Sequence, residues 1–270
     1  VLRGRAVRSD GPTRFLGVGD PVIGNAPDMA CEGTQLAQLR ASGSWGSLPF
    51  SSASAWQDGM RLADPQALRR LDRLADTTCE LEAIQRGFSP AASTLLTRHA
   101  ASESRIKALS AEGTLAQQDI VVFATHGLVA GESSAVAPGL VLTPPGQATL
   151  LDDGLLTSAE VAVLDLNARL VILSACNTAA GESAAQEGLS GLASSFFHAG
   201  ARALIVTHWA VFSAASAEIS AGVAQRIAND PALENAEALR VVTLDILDDP
   251  GGSALRKHPA YWAAFSVIGD

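Results

Sequence analysis

Three stretches of the chain are apolar without interruption: Ile120-Val121-Val122-Phe123-Ala124, Leu170-Val171-Ile172-Leu173 and Ala203-Leu204-Ile205-Val206. Each is bounded by polar residues and is too short for a helix that crosses a domain. A strand with one wet face alternates polar with apolar, so a strand apolar at every position must be covered on both faces. That is the condition of a parallel sheet sandwiched between helices. Between the second and third runs, Leu189, Leu192, Ala193, Phe196 and Phe197 recur at helical spacing until Gly200 ends the pattern, which makes this stretch a βαβ unit.

The remaining elements fit around that unit. Arg14-Phe15-Leu16-Gly17-Val18-Gly19-Asp20-Pro21 reads as a first buried strand stopped by turn residues. From Pro65, Leu68, Leu71 and Leu74, then Leu81 and Ile84, predict one helix up to Gly87, with a break at Thr77-Thr78. Ser93-Thr94-Leu95-Leu96 is a short strand, and Ser102 caps a helix carrying Arg105, Ile106 and Leu109. Ala214 to Ala228 and Leu233 to Leu247 are two more helices, and Phe265-Ser266-Val267-Ile268 is a last strand. Residues 28 to 59, rich in Ser, Gly and Ala, read as a loop or irregular insertion without an assigned role. The order of elements predicts a doubly wound α/β sheet with helices on both faces.

Composition excludes several classes. With 47% hydrophobic and 17% charged residues the chain is not a disordered one. A net charge of −9 and the lack of any Lys/Arg cluster argue against nucleic acid as a partner. No uncharged stretch reaches the ~20 apolar residues that span a bilayer, so no membrane is expected. Cys31, Cys79 and Cys176 are too few and too scattered for a disulfide framework or a paired-cysteine zinc site, and no signal peptide opens the chain, so a reducing cytoplasm is expected. The chain starts on Val1 and soon enters a strand, which suggests a piece of a longer protein.

Ligands of such sheets bind outside the carboxyl ends of the strands. Those ends are Ala124-Thr125-His126-Gly127, Ser174-Ala175-Cys176-Asn177-Thr178 and Thr207-His208-Trp209. A thiol and an imidazole at the ends of neighbouring strands can face each other as nucleophile and base. A nearby imidazolium and turn amides would lower the Cys176 pKa, and His126 could then protonate a leaving amine. Gly127, without a side chain, lets its N–H approach a carbonyl closely, so that it and the Cys176 N–H could form an oxyanion hole. Taken singly, such a cysteine is more often a small core residue and Thr-His-Gly a turn. Their separation, 176 − 126 = 50 residues, is about the His-to-Cys distance of caspases, although the local caspase signature is absent.

Other chemistries fail specific tests. A phosphatase loop would need Arg where Glu182 stands, no G-x-S-x-G surrounds Ser190, and neither a P-loop nor a dinucleotide fingerprint occurs. A zinc site of His126, Cys176 and His208 lacks the usual close ligand pair. No metal and no cofactor is expected.

At these residues the sequence resembles the CHAT domain, a caspase-like cysteine peptidase module often found after tetratricopeptide repeats and related to separase, gingipain and caspases. Phe15 to Pro21 resembles its opening strand, Val121 to Gly127 its histidine strand and Leu170 to Thr178 its cysteine strand. Pro138 to Pro144, Asp153 to Thr157 with Glu160-Val161, Gly188 to Leu192, Ala199 to Ala201, and His258-Pro259 with Tyr261 to Ala263 extend the likeness. It covers roughly residues 13 to 270, less well over 28 to 60, and implies one CHAT domain over residues 1–270 with a caspase-like three-layer α/β/α sandwich and a mostly parallel central sheet. It also implies His126 and Cys176 as the catalytic dyad, with the Gly127 and Cys176 amides in the oxyanion hole.

The expected function is a cysteine endopeptidase cutting a protein or peptide through a thioester on Cys176. An upstream tetratricopeptide-repeat or other sensor domain would regulate it, in a bacterial-type signalling or defence setting. The alternative is a catalytically silent CHAT-like scaffold that binds a partner. The family's Trp after the third strand is typically followed within a few residues by Asp. Here Trp209-Ala210-Val211 leads to Phe212, Ser213 and Ala214, and the next acid is Glu218. From His126 to Gly200 seven acids face one base, Arg169, so a basic P1 residue is favoured. Asp153, Trp209, Phe212 and Glu218 are the pocket candidates, and an apolar pocket near Phe212 is the competing form.

Overall fold

The structure is a computed structural model; it describes residues 11–25, 27, 31, 62–128, 138–174, 184–209 and 211–269, with the side chains of 184–190 excepted. In chain order its strands are β1 (Phe15–Pro21), β2 (Ser93–Arg98), β3 (Ile120–Ala124), β4 (Gly127–Leu128), β5 (Gly139–Val141), β6 (Leu155–Thr157), β7 (Leu170–Leu173), β8 (Ala203–Thr207) and β9 (Phe265–Gly269). Its helices are α1 (Pro65–Leu68), α2 (Asp76–Gln85), α3 (Glu103–Ala111), α4 (Ser158–Ala162), α5 (Ala184–Ala199), α6 (Ser213–Asn229), α7 (Asn235–Asp248), α8 (Ala254–Lys257) and α9 (Pro259–Trp262).

Among the described residues, six strands form the central sheet in the order β2-β1-β3-β7-β8-β9. The first five run parallel, and β9 closes the edge antiparallel to β8. The uninterrupted apolar runs follow from this placement. In β3, Val121 and Phe123 point into a core made with α3, α4 and α5, while Ile120, Val122 and Ala124 point into a second core made with α2, α6 and α7. Neighbouring β7 splits the same way, Val171 and Leu173 against Leu170 and Ile172. Alternation of side chains across a strand therefore needs an apolar residue at every position. The architecture is the three-layer α/β/α sandwich with a mainly parallel sheet.

Local signals place the helix ends. Ser102 accepts the Arg105 N–H at 3.2 Å at the start of α3, and Thr157 with Glu160 forms a capping box on α4. Gly200 ends α5 at φ +116°, where a Cβ would sit 2.2 Å from the Leu166 carbonyl oxygen. Only glycine fits that return of the chain toward β8.

Three features differ from the sequence expectation. The leucine-rich segment after Pro65 is two helices rather than one, and the interruption covers residues 69–75, ahead of Thr77-Thr78. The leucines on either side serve different cores: Leu68 and Leu71 pack with Ile23, Ala63, Val141 and Leu155, whereas Leu81 and Ile84 pack under the main sheet. Secondly, the stretch after the histidine strand forms a small antiparallel sheet, β4-β5-β6, too short in each strand to show a period. Thirdly, Cys31 and Cys79 form a disulfide across 48 positions, although the cysteines read from the sequence as too few and too scattered for a disulfide framework. The irregular insertion expected from 28 to 59 falls outside the described residues apart from Cys31.

Candidate active site

Because β1, β3, β7 and β8 are parallel, their carboxyl ends open on one edge of the sheet. That edge carries Asp20 at the end of β1, His126 two residues beyond β3, Ser174 directly after β7, and Trp209 beyond β8. The histidine and cysteine strands are immediate neighbours, with Phe123 beside Leu173. Cys176 itself lies outside the described residues.

His126 is held from both sides. Its backbone carbonyl accepts the Val141 N–H at 2.9 Å, and the Thr125 hydroxyl donates to the Val141 carbonyl at 2.5 Å, so the small sheet fixes the turn after β3. The next residue, Gly127, is buried and pairs with Leu140. The imidazole is only 3% exposed, and its Nε2 lies 2.7 Å from the Asp72 carbonyl oxygen, in the 69–75 interruption between α1 and α2. A carbonyl can only accept, so Nε2 carries the proton and Nδ1 is the basic nitrogen of the neutral ring. Burial holds the imidazole below its ordinary pKa, against the opposing pull of the Asp72 carbonyl and the charges of Asp72 and Asp76. A neutral ring with a defined tautomer leaves Nδ1 as the nitrogen that can accept a proton.

The end of β7 is tied down by a polar cluster that sequence reasoning missed. Ser174 donates to Glu80 on α2 at 2.9 Å and lies 2.5 Å from the hydroxyl of Ser216 on α6, which itself reaches Glu80 at 3.3 Å. Burial pushes the Glu80 carboxyl up to about 7, with the serine hydroxyls acting in the opposite sense. The signal available was a glutamate, Glu80, beside Leu81 on the apolar side of a helix. The Asp72 carbonyl left no signal at all, since it is backbone.

The four pocket candidates do not form one constellation. The Asp153 carboxylate accepts the Ala63 N–H at 2.7 Å and the Leu155 N–H at 3.0 Å, beside the small sheet. Glu218 accepts from the Tyr261 hydroxyl at 2.9 Å and is ion-paired with Arg256 on α8. Phe212, at the start of α6, stacks on Tyr261 with centroids 6.3 Å apart. Trp209 alone presents a large surface, at 41% exposure. The His258-Pro259 motif is a helix cap: His258 Nδ1 accepts the Ala260 N–H at 3.1 Å and thereby directs buried Tyr261 toward Glu218. His208, weighed as a zinc ligand from sequence, is 2.8 Å from the Ser266 hydroxyl instead. No helix among the described residues is long and apolar enough to cross a membrane.

A mainly parallel sheet between two helical layers, with a histidine beyond the third strand and the adjoining strand leading to a cysteine, defines a caspase-like α/β/α protein. A comparison with protein-family models carries this further, for the CHAT domain model matches residues 13–270, essentially the whole chain. The chain belongs to the CHAT domain family, a caspase-like, peptidase-related group. A search of curated proteins returned no significant match.

Proposed function

We propose that this protein is a cysteine endopeptidase in which Cys176 is the nucleophile and His126 its base and acid. The observation that supports this best is the imidazole of His126 at the carboxyl edge of the sheet, with Nε2 committed to Asp72 and Nδ1 left basic, beside the strand that leads to Cys176. In the proposed cycle Nδ1 takes the Cys176 thiol proton as the sulfur attacks the scissile carbonyl. The Gly127 and Cys176 amides stabilise the oxyanion, the imidazolium returns the proton to the leaving amine, and a thioester remains. Water, deprotonated by His126, then hydrolyses the thioester and regenerates the thiol. An upstream repeat or sensor domain controls access to the dyad.

The P1 residue is basic and is recognised by Trp209 rather than by Asp153 or Glu218, whose carboxylates are already engaged. An exposed indole offers a face for the stem and cationic head of Lys or Arg.

Hydrolysis of a peptide library varied at P1 tests both parts. Cys176→Ala should abolish cleavage without altering the fold, and an electrophilic peptide probe should label Cys176 in the wild type. Undiminished cleavage by the variant would refute the peptidase reading. A folded wild type that neither cleaves nor is labelled would leave the scaffold alternative. For P1 selection, Trp209→Ala should lower kcat/KM for Lys and Arg substrates by about tenfold, while Glu218→Gln leaves the ranking unchanged. Preference for a small residue or Asp at P1 would defeat the basic pocket.

A further inference from the structure

Asp20 and Arg73 meet in a two-bond fork. Arg73 Nε donates to Oδ1 and Nη2 to Oδ2, each at 2.7 Å, and the side chains are 5% and 1% exposed for Arg73 and Asp20. Asp20 also accepts from the Thr78 hydroxyl at 3.1 Å and from Arg98 Nη1 at 3.4 Å. Its own N–H donates to the Thr77 hydroxyl at 3.0 Å, which in turn donates to the Leu74 carbonyl at 2.7 Å. One aspartate thus reaches residues 73, 77 and 78 directly and 74 through Thr77. Asp20 adopts φ +43°, a left-handed conformation that aspartate tolerates better than most residues. A second strut lies beside it: the Gly24 N–H donates to the Arg69 carbonyl at 3.0 Å, and a Cβ on Gly24 would come within 2.7 Å of the Arg73 nitrogen and the Leu71 carbonyl oxygen.

The group next to Arg73 in the chain is the Asp72 carbonyl that receives His126 Nε2. Asp20 lies at the end of β1 and His126 just beyond the paired β3, Gly19 standing opposite Ala124. The ion pair therefore fixes the loop against the same sheet that carries the imidazole. We propose that Asp20 and Arg73 are positioning residues of the active site, a clamp that presents the Asp72 carbonyl to His126 and so fixes the tautomer and orientation of the ring. The catalytic consequence rests on the peptidase reading above; the geometric one does not. A buried ion pair adds little net stability over apolar packing, whereas its planar fork dictates orientation, which is the property this loop requires.

The full 270-residue chain, labelled with ¹⁵N in its histidines, supplies the test. The His126 Nε2–H resonance, assigned by its loss in His126→Gln, should exchange slowly with solvent in the wild type. In Asp20→Asn, which keeps the side-chain shape and the tolerance of positive φ, it should exchange about tenfold faster or more. Arg73→Lys, which keeps the charge but loses the fork, should do the same. Peptide hydrolysis should fall about tenfold to a hundredfold in kcat with KM little changed, because a displaced base costs rate rather than binding. Thermal unfolding reports whether each variant is folded. An unaltered Nε2–H resonance in folded Asp20→Asn or folded Arg73→Lys would overturn the clamp, even if both melt earlier. Faster exchange in the variants of a wild type that cleaves nothing would uphold the clamp and sink the peptidase reading.

Discussion

Glu80 shows how a single buried group can set the pH dependence of the molecule. Its carboxyl is raised from 4.5 to about 7 by burial, so the folded state holds a proton over a range in which the unfolded chain has released it. The stabilising contribution is complete below the unfolded pKa and is lost as the pH rises through about 7. Glu80→Gln cannot ionise. It should match the wild type near about pH 5 and exceed it by about 1–3 kcal/mol at about pH 8, read from urea unfolding. Equal differences at the two values would show that Glu80 is ionised in the folded protein. His126 runs in the opposite sense, since its folded pKa is depressed by burial: stability falls as acid forces a charge onto the ring.

At the scale of elements, the turn from α5 into β8 depends on Gly200. Its N–H donates to the Phe196 carbonyl at 3.1 Å, Ala201 N–H follows at 2.9 Å to the same carbonyl, and the chain passes close to Leu166. Gly200→Ala combines an unfavourable positive φ with a direct clash against backbone, so a loss of about 3 kcal/mol or more is expected from urea midpoints. A cost below about 1 kcal/mol would mean that the loop at Leu166 yields easily. Element type was readable here because the apolar stripe of α5 and its terminating glycine agree. The leucine spacing of residues 65–85 predicts one helix broken at Thr77-Thr78 rather than two helices, because spacing cannot tell which core each leucine enters.

The whole molecule is stapled by Cys31–Cys79, which joins a segment beyond β1 to α2, the helix that also carries Glu80 and follows the Asp72 loop. Closing a loop of this length stabilises by up to about 4 kcal/mol through the unfolded chain. Reduction should therefore lower the melting temperature, Cys31→Ser should reproduce the shift, and reductant should have no further effect on that variant. A melting point indifferent to reductant in the wild type would deny the staple its role.

The sequence by itself determined the layer architecture, because an apolar run such as Ile120 to Ala124 has only one physical solution, burial on both faces. It also determined where His126 stands, because strand ends are marked by the change from apolar to polar residues. Tertiary structure alone decided what His126 touches. The Asp72 carbonyl is backbone and 54 positions away, the Asp20–Arg73 pair spans 53 positions, and the Ser174–Glu80 contact spans 94. It likewise decided that Asp153 and Glu218 are spent on Ala63, Leu155, Arg256 and Tyr261 rather than left for a ligand. Periodicity reports which face of an element is buried. It carries no information on which distant partner satisfies a buried polar group, and that choice is made only when the layers close.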